Sequence, residues 1–338
     1  MLKPSELSRK FLYKVSVLYG PSGTGKTVLA KCVLDYLFDS NIFTSVYCWA
    51  PPYSVQNNNY EMIFGKEACF SDFSGFNPWY DAIADRLSAS INHANSVTAK
   101  WNTIKRLYSM LPQALKEKIS KDLINIVTQK YKIELDMSKP QIIGIAKSVM
   151  LPYILKNRDY IKQVHHSQKN EVCASGMCDI CTFSGVERVL IFVDDFGGEK
   201  DIMAGKFKTC PTKSRHMYMT IVLLSQLYTM VNKDFRSNTQ IKAFTAVPAL
   251  TDMLQNANSC FSANDKNALN TGFVNKKKEE KYAAMIMDES DGGRTVNYIV
   301  PPENRYPVFR PRPGETHDLY RPDPIETEQT QPVEAIQL

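Results

Sequence analysis

The sequence predicts an α/β fold: a mostly parallel sheet interrupted by a large helical insertion and followed by a disordered tail. Three observations carry this. Gly20-Pro21-Ser22-Gly23-Thr24-Gly25-Lys26-Thr27 satisfies G-x-x-x-x-G-K-[ST] at every fixed position and sits between a strand pattern and a helix pattern. Glu187–Asp195 is an apolar run closed by two carboxylates. Between these, residues 83–182 change to long helical periodicity.

The 338 residues are 43% hydrophobic and 22% charged, an ordinary globular balance that excludes collagen-like, coiled-coil and wholly disordered chains. No apolar run approaches the ~18 residues of a membrane span, so no membrane partner is expected. No signal-peptide core follows Met1. Eight cysteines in so long a chain do not make a disulfide scaffold, which favours a reducing, intracellular setting. The net charge is +6; residues 301–338 hold four Arg against seven acids (−3), leaving +9 on the rest. A basic body with an acidic tail suits a polyanionic partner.

Taken in chain order, Tyr13–Tyr19 reads as a buried strand, Gly20–Thr27 as the turn after it, and Val28–Leu37 as an apolar-striped helix. The glycines let the backbone curl, so that N–H groups and the helix N-terminus cradle phosphates. Lys26 would reach the β- and γ-phosphates of a nucleotide such as ATP, and Thr27 would ligate Mg²⁺. Phe43–Ala50 is a second strand. Asp81–Ile91, Trp101–Leu111, Leu115–Val127 and Gln141–Leu155 are helical, with breaks at Pro112 and Pro140. Val189–Val193 is a strand whose end, Asp194-Asp195, lies where ligands bind in a parallel sheet. Asp194 would hold Mg²⁺ through its water shell, and Asp195 would polarise an attacking water. Thr220–Leu224 is the next strand, followed by Ser225-Gln226. The Gln226 amide can donate to a γ-phosphate and accept from a water. Tyr282–Met287 and Thr295–Val300 flank the turn Asp288–Gly293 as a hairpin. Residues 301–338 hold eight of the eighteen prolines, with little apolar periodicity.

Together these pieces resemble the genome-packaging ATPases of large eukaryotic DNA viruses, the poxvirus-type branch of the FtsK/HerA superfamily of P-loop NTPases. The runs that point to this branch are Arg215-His216 before Ser225-Gln226 and Phe235-Arg236-Ser237-Asn238 after it. Ser214 stands where the family carries glycine. The resemblance covers residues 1–82 and 183–300. It implies a RecA-like core of the additional-strand type, ATP-driven translocation of double-stranded DNA into a capsid, capsid proteins as partners and a homo-oligomeric ring. It implies an intracellular or virion-associated place in the host. It also makes Arg236 the candidate arginine finger acting on a neighbouring subunit. The alternatives are a nucleoside-monophosphate-type kinase, and a nucleotide-gated DNA-binding or scaffolding protein with little turnover.

The 168 residues between Lys26 and Asp194 exceed what such a core needs, so 83–182 is an insertion. Cys173, Cys178 and Cys181 with His166 would suit a structural Zn²⁺ clip, His165 being the second and Cys210 the third choice of fourth ligand; a loop of free thiols is the other reading. Lys100–Lys132 carries eight Lys or Arg against two acids, with Trp101, Tyr108 and Tyr131 interleaved. It reads as a DNA-facing surface or as the solvated face of amphipathic helices. Gly197–Lys213, with Lys200, Lys206, Lys208 and Lys213, reads as a mobile basic loop able to move DNA or as an ordinary surface loop.

Overall fold

The computed structural model describes residues 10–39, 43–95, 97–131, 140–169, 187–195, 200–256, 261–290, 292–302 and 307–309. Among the described residues eight strands form one sheet. In chain order they are β1 (Val15–Tyr19), β2 (Ser45–Trp49), β3 (Cys69–Phe70), β4 (Val189–Val193), β5 (Met219–Ser225), β6 (Ile241–Phe244), β7 (Ala284–Asp288) and β8 (Thr295–Ile299). They lie side by side in the order β3-β2-β4-β5-β1-β6-β7-β8. The first six run parallel; β6–β7 and β7–β8 are antiparallel, so the C-terminal hairpin is an appended edge. The fold is that of a P-loop NTPase of the additional-strand type: β5 lies between the loop strand β1 and the carboxylate strand β4.

β1, β2, β4 and β5 are buried along their whole length, as strands covered on both faces must be. Their sequences are apolar runs without alternation for this reason. One face packs against α1 (Lys26–Asp39), through Leu29, Val33 and Leu37. The other packs against α4 (Phe76–Asn95), where Trp49, Phe76 and Trp79 make an aromatic cluster with centroids 5.1 to 5.8 Å apart. Between β2 and α4 lie two short helices, α2 (Pro52–Asn57) and α3 (Tyr60–Phe64).

The expected boundary at residue 83 falls inside α4. Trp79, Ile83 and Leu87 of that helix all face the sheet, so the helix belongs to the core on both sides of that boundary. The insertion continues as α5 (Val97–Ser109), α6 (Gln113–Asn125), α7 (Pro140–Lys156) and α8 (Arg158–Lys169). Its apolar side chains, among them Trp101, Ile119 and Ile154, are continuous with the cluster that holds α1 against the sheet. The insertion therefore shares the core with the sheet. Within the basic stretch, Trp101 and Tyr108 face inward. Trp101 is 5% exposed, and Tyr108 is half-buried, donating to the Lys116 carbonyl. Lys105, Arg106, Lys118 and Lys121 remain on the solvent side.

Beyond β5 come α9 (Lys233–Asn238), α10 (Val247–Asn256) and α11 (Ala263–Glu279). α11 starts at a reciprocal cap between Ser262 and Asp265. Most of the tail lies outside the described residues, but Pro307–Phe309 does not trail away. The Phe309 N–H donates to the Ile63 carbonyl at 2.8 Å, and its ring sits 5.4 Å from Phe38. The expectation of disorder from residue 301 onward is corrected for this short stretch.

Candidate nucleotide site

The glycine-rich loop leaves β1 at the carboxyl edge of the sheet. The Gly20 N–H donates to the Ser225 carbonyl at the end of β5, which ties the loop to the neighbouring strand. Thr24 Oγ1 closes the turn on the Pro21 carbonyl at 2.8 Å and meets Thr245 Oγ1, just past β6, at 2.8 Å. Gly23 and Gly25 have φ of +76° and +94°, values that favour glycine. α1 begins directly after, and the first N–H groups of a helix have no partner inside it. They are the donors a phosphate would take.

Lys26 Nζ bends back onto the Gly20 and Pro21 carbonyls at 2.5 and 3.1 Å. Burial lowers its pKa, against the raising charges of Asp194 and Asp195. The ammonium is thus held within the loop, opposite two carboxylates. Asp194 is 6% exposed; its N–H donates to the Trp49 carbonyl at 2.8 Å, continuing the β2–β4 ladder. Burial pushes its carboxyl up, against the Tyr60 hydroxyl, which donates to Oδ2 at 2.7 Å, and the charge of Lys26. Asp195 takes a left-handed backbone, φ +49°, rare outside glycine. The Gln226 amide donates to its Oδ1 at 3.4 Å.

The loop, the two carboxylates and Gln226 border one cavity of about 430 Å³, at the carboxyl ends of β1, β4 and β5. Lys26, Thr27, Asp194, Asp195 and Gln226, drawn from positions spread over 200 residues, all line it. The donor set fits a nucleotide with Mg²⁺: hydroxyl and carboxylate oxygens suit that hard ion, and the N–H-lined loop suits phosphate. The far walls are Tyr53, at the start of α2, and Tyr282, before β7; both rings are exposed, at 55% and 43%. Sequence reasoning missed Tyr53, Tyr60, Thr245 and Tyr282. None stands in a motif.

Arg236 does not reach this cavity. Its guanidinium donates to the Tyr228 and Val231 carbonyls at 3.2 and 3.4 Å and stacks on the Tyr228 ring at 4.6 Å. Among the described residues lining the cavity, Lys26 is the only Lys or Arg. Arg215 and His216 sit before β5, at the opposite edge of the sheet. In the basic loop, Lys206 pairs with Asp85 at 2.9 Å and Lys208 with Asp234 at 2.8 Å. Phe207 is buried between Phe76, Tyr80 and Phe235, which anchors the described part of the loop around it. Cys173, Cys178, Cys181 and the side chain of His166 lie outside the described residues. Among the described residues no group of three or more His, Cys, Asp or Glu is gathered to hold a metal ion. Cys210 is a buried core thiol whose pKa is pushed up to about 12 by burial.

No family model matches the chain. It is 22% identical over 311 residues to the uncharacterised protein B354L of African swine fever virus (isolate Warthog/Namibia/Wart80/1980), covering 87% of this chain and 80% of that one. It is 21% identical over 272 residues to the B354L protein of isolate Pig/Kenya/KEN-50/1950, covering 76% and 73%. Among solved structures it is similar to the genome packaging NTPase B204 of Sulfolobus turreted icosahedral virus 2 in complex with AMPPCP, with 11% identity, 88% and 98% coverage and a TM-score of 0.35. It is also similar to EssC (ATPases 2 and 3) from Geobacillus thermodenitrificans, with 8% identity, 88% and 41% coverage and a TM-score of 0.39. No helix among the described residues is long and apolar enough to cross a membrane.

Proposed function

We propose that this protein is a Mg²⁺-dependent ATPase whose turnover moves double-stranded DNA, in the packaging of a viral or virus-like genome into a capsid. The observation that carries the ATPase reading is the convergence of Lys26, Thr27, Asp194, Asp195 and Gln226 on one cavity. Lys26 and the loop N–H groups would bind the phosphates, and Thr27 and Asp194 would hold the metal, which when bound neutralises charge on the β- and γ-phosphates. Asp195 would orient the attacking water, and Gln226 would report the γ-phosphate to β5.

The same cavity argues against a nucleoside-monophosphate kinase. A second phosphorylated substrate needs cations of its own, and Lys26 is the only Lys or Arg among the described lining residues. For hydrolysis, one ammonium facing a triphosphate leaves room for a guanidinium from outside. That supports a ring in which Arg236 of one subunit serves the site of the next. The DNA and capsid partners rest on the motif resemblance and on the +9 body.

The test is ATP hydrolysis by the purified chain, with and without double-stranded DNA over a range of salt. Lys26→Ala should abolish turnover, while Asp195→Asn should bind ATP and fail to hydrolyse it. DNA should stimulate the wild-type rate, and the stimulation should fade steeply with salt as counterion release weakens binding. Full turnover in both variants refutes the ATPase reading. A rate indifferent to DNA at low salt refutes the translocase reading and leaves the ATPase standing.

A further inference from the structure

The segment between β2 and β3 is polar and rich in asparagine, and no motif marks it. Asn59, the residue that caps the start of α3, lies in the left-handed region, φ +56° and ψ +39°, a conformation asparagine tolerates. That turn starts α3 and swings Tyr60 into the protein, where it is fully buried. Its ring meets Phe192 of β4 edge-on at 5.1 Å and Phe64 at 6.1 Å. A phenylalanine would fill the same space. The hydroxyl therefore has a role that packing does not require, and its partner is the carboxylate that closes β4. Tyr60 Oη donates to Asp194 Oδ2 at 2.7 Å in a buried contact across 134 positions of sequence. The Thr27 side chain interacts with the same hydroxyl. Tyr60 thus bonds one of the side chains assigned to the metal and interacts with the other.

We propose that Tyr60 is a positioning residue for the metal site: its hydroxyl fixes the rotation of the Asp194 carboxylate and sets its distance from Thr27. This rests on the Mg²⁺–nucleotide reading given above. The physical reason is that two small oxygen-bearing side chains on different elements have no direct bond to hold them in register. A buried donor between them supplies it at no cost in solvent access to the cavity. Groups that hydrogen-bond a metal-binding side chain from behind typically affect metal affinity or activity by 10- to 100-fold when removed. The arrangement also links the cavity wall to the chemistry. α2 and the turn after it carry Tyr53 and Asn57 into the wall, and Tyr60 ties the same segment to β4.

The experiment uses the full chain and Mn²⁺ as the probe. Free Mn²⁺ is followed by paramagnetic resonance during titration in the presence of ATPγS, and nucleotide affinity is measured separately in EDTA. Tyr60→Phe should weaken Mn²⁺ binding about tenfold or more and leave the affinity in EDTA within about twofold. In an Asp194→Asn background the same substitution should have no further effect on Mn²⁺, because the hydroxyl acts through that carboxylate. Thermal unfolding without metal separates packing from positioning. A lowered melting temperature with unchanged Mn²⁺ affinity overturns the proposal, as does an additive loss in the double variant. Wild-type protein that binds no Mn²⁺–nucleotide would refute the ATPase reading itself, and this inference with it.

Discussion

Replacing Gly20 by alanine tests the loop geometry most directly. A Cβ at Gly20 would lie 2.1 Å from Thr245 Oγ1 and 2.7 Å from Thr24 Oγ1. Relieving the first contact means moving the Thr245 oxygen by more than 1 Å, on the order of the gap to normal carbon–oxygen packing. That shift breaks the Thr24–Thr245 hydrogen bond and the bond from Thr245 to the Tyr19 carbonyl. Two such bonds contribute about 1 kcal/mol each, and overpacking costs about 1–3 kcal/mol. The stiffer unfolded chain returns roughly 0.4–1 kcal/mol. Gly20→Ala should therefore destabilise by about 2–4 kcal/mol and weaken ATP binding, because the Thr24 end of the loop moves with it. Thr245→Ala removes the atom that clashes. In the double variant at least ~1 kcal/mol of the Gly20→Ala loss should be recovered, a coupling of the size contacting residues show. Urea unfolding of the four proteins, with fluorescent-nucleotide binding alongside, provides the measurement. A Gly20→Ala protein within ~0.5 kcal/mol of wild type, or strict additivity with Thr245→Ala, would refute the reasoning.

Two further outcomes are expected, the first from the motif resemblance and the second from the geometry. Arg236→Ala should bind ATP normally and hydrolyse it about a thousandfold more slowly; mixing it with Lys26→Ala subunits should restore some turnover, whereas a structural Arg236 predicts lost stability and no rescue. Burial would raise Asp288, but hydrogen bonds from Ser290 and Lys10 and the charge of Lys14 outweigh it and hold its carboxyl below the usual range; Glu289 is lowered likewise by Lys242 and Arg294. Both groups therefore add stability above the ordinary carboxylate pKa of ~4 that is lost as pH falls through the folded value. The melting temperature of Asp288→Asn should fall less steeply than wild type between about pH 5 and 3, and equal slopes would dismiss the assignment.

What the sequence made legible was what neighbouring residues encode together. The loop is eight consecutive residues with a strand before and a helix after. Asp194-Asp195 and Gln226 each end an apolar run, so their place at the strand ends is fixed by the pattern. Tyr60 carries no such signature: its meaning lies in a carboxylate 134 residues away. Thr245 likewise acts on a turn 221 residues earlier. β6 escaped notice because it is four residues long and contains Lys242, whose charge is buried against Glu289 and the Thr239 carbonyl. The aromatic residues of the basic stretch left two readings open for a related reason. A tryptophan in an amphipathic helix looks the same whether it faces a partner or the core. Only its place in the shared apolar cluster decides for Trp101.

The pairing of β2 with β4 has a consequence for how the chain reaches this state. Ser45 stands opposite Val189, so the first rung of that ladder closes a loop of 144 residues, and the insertion lies within it. Closure entropy rises by about 2 kcal/mol for each tenfold increase in loop length. The two strands are therefore poor partners until the helices between them have condensed. Since those helices share their apolar surface with α1, condensation and closure reward each other. The inserted helices then act as an internal clamp that shortens the search, and trimming them should slow assembly of the sheet before it alters the chemistry at its edge. A chain arrested at that stage would present β4, one of the most apolar strands of the sheet, without its neighbours. Such an exposed edge is prone to pair with other copies. The yield of soluble protein should thus be the first property to suffer from changes in the insertion.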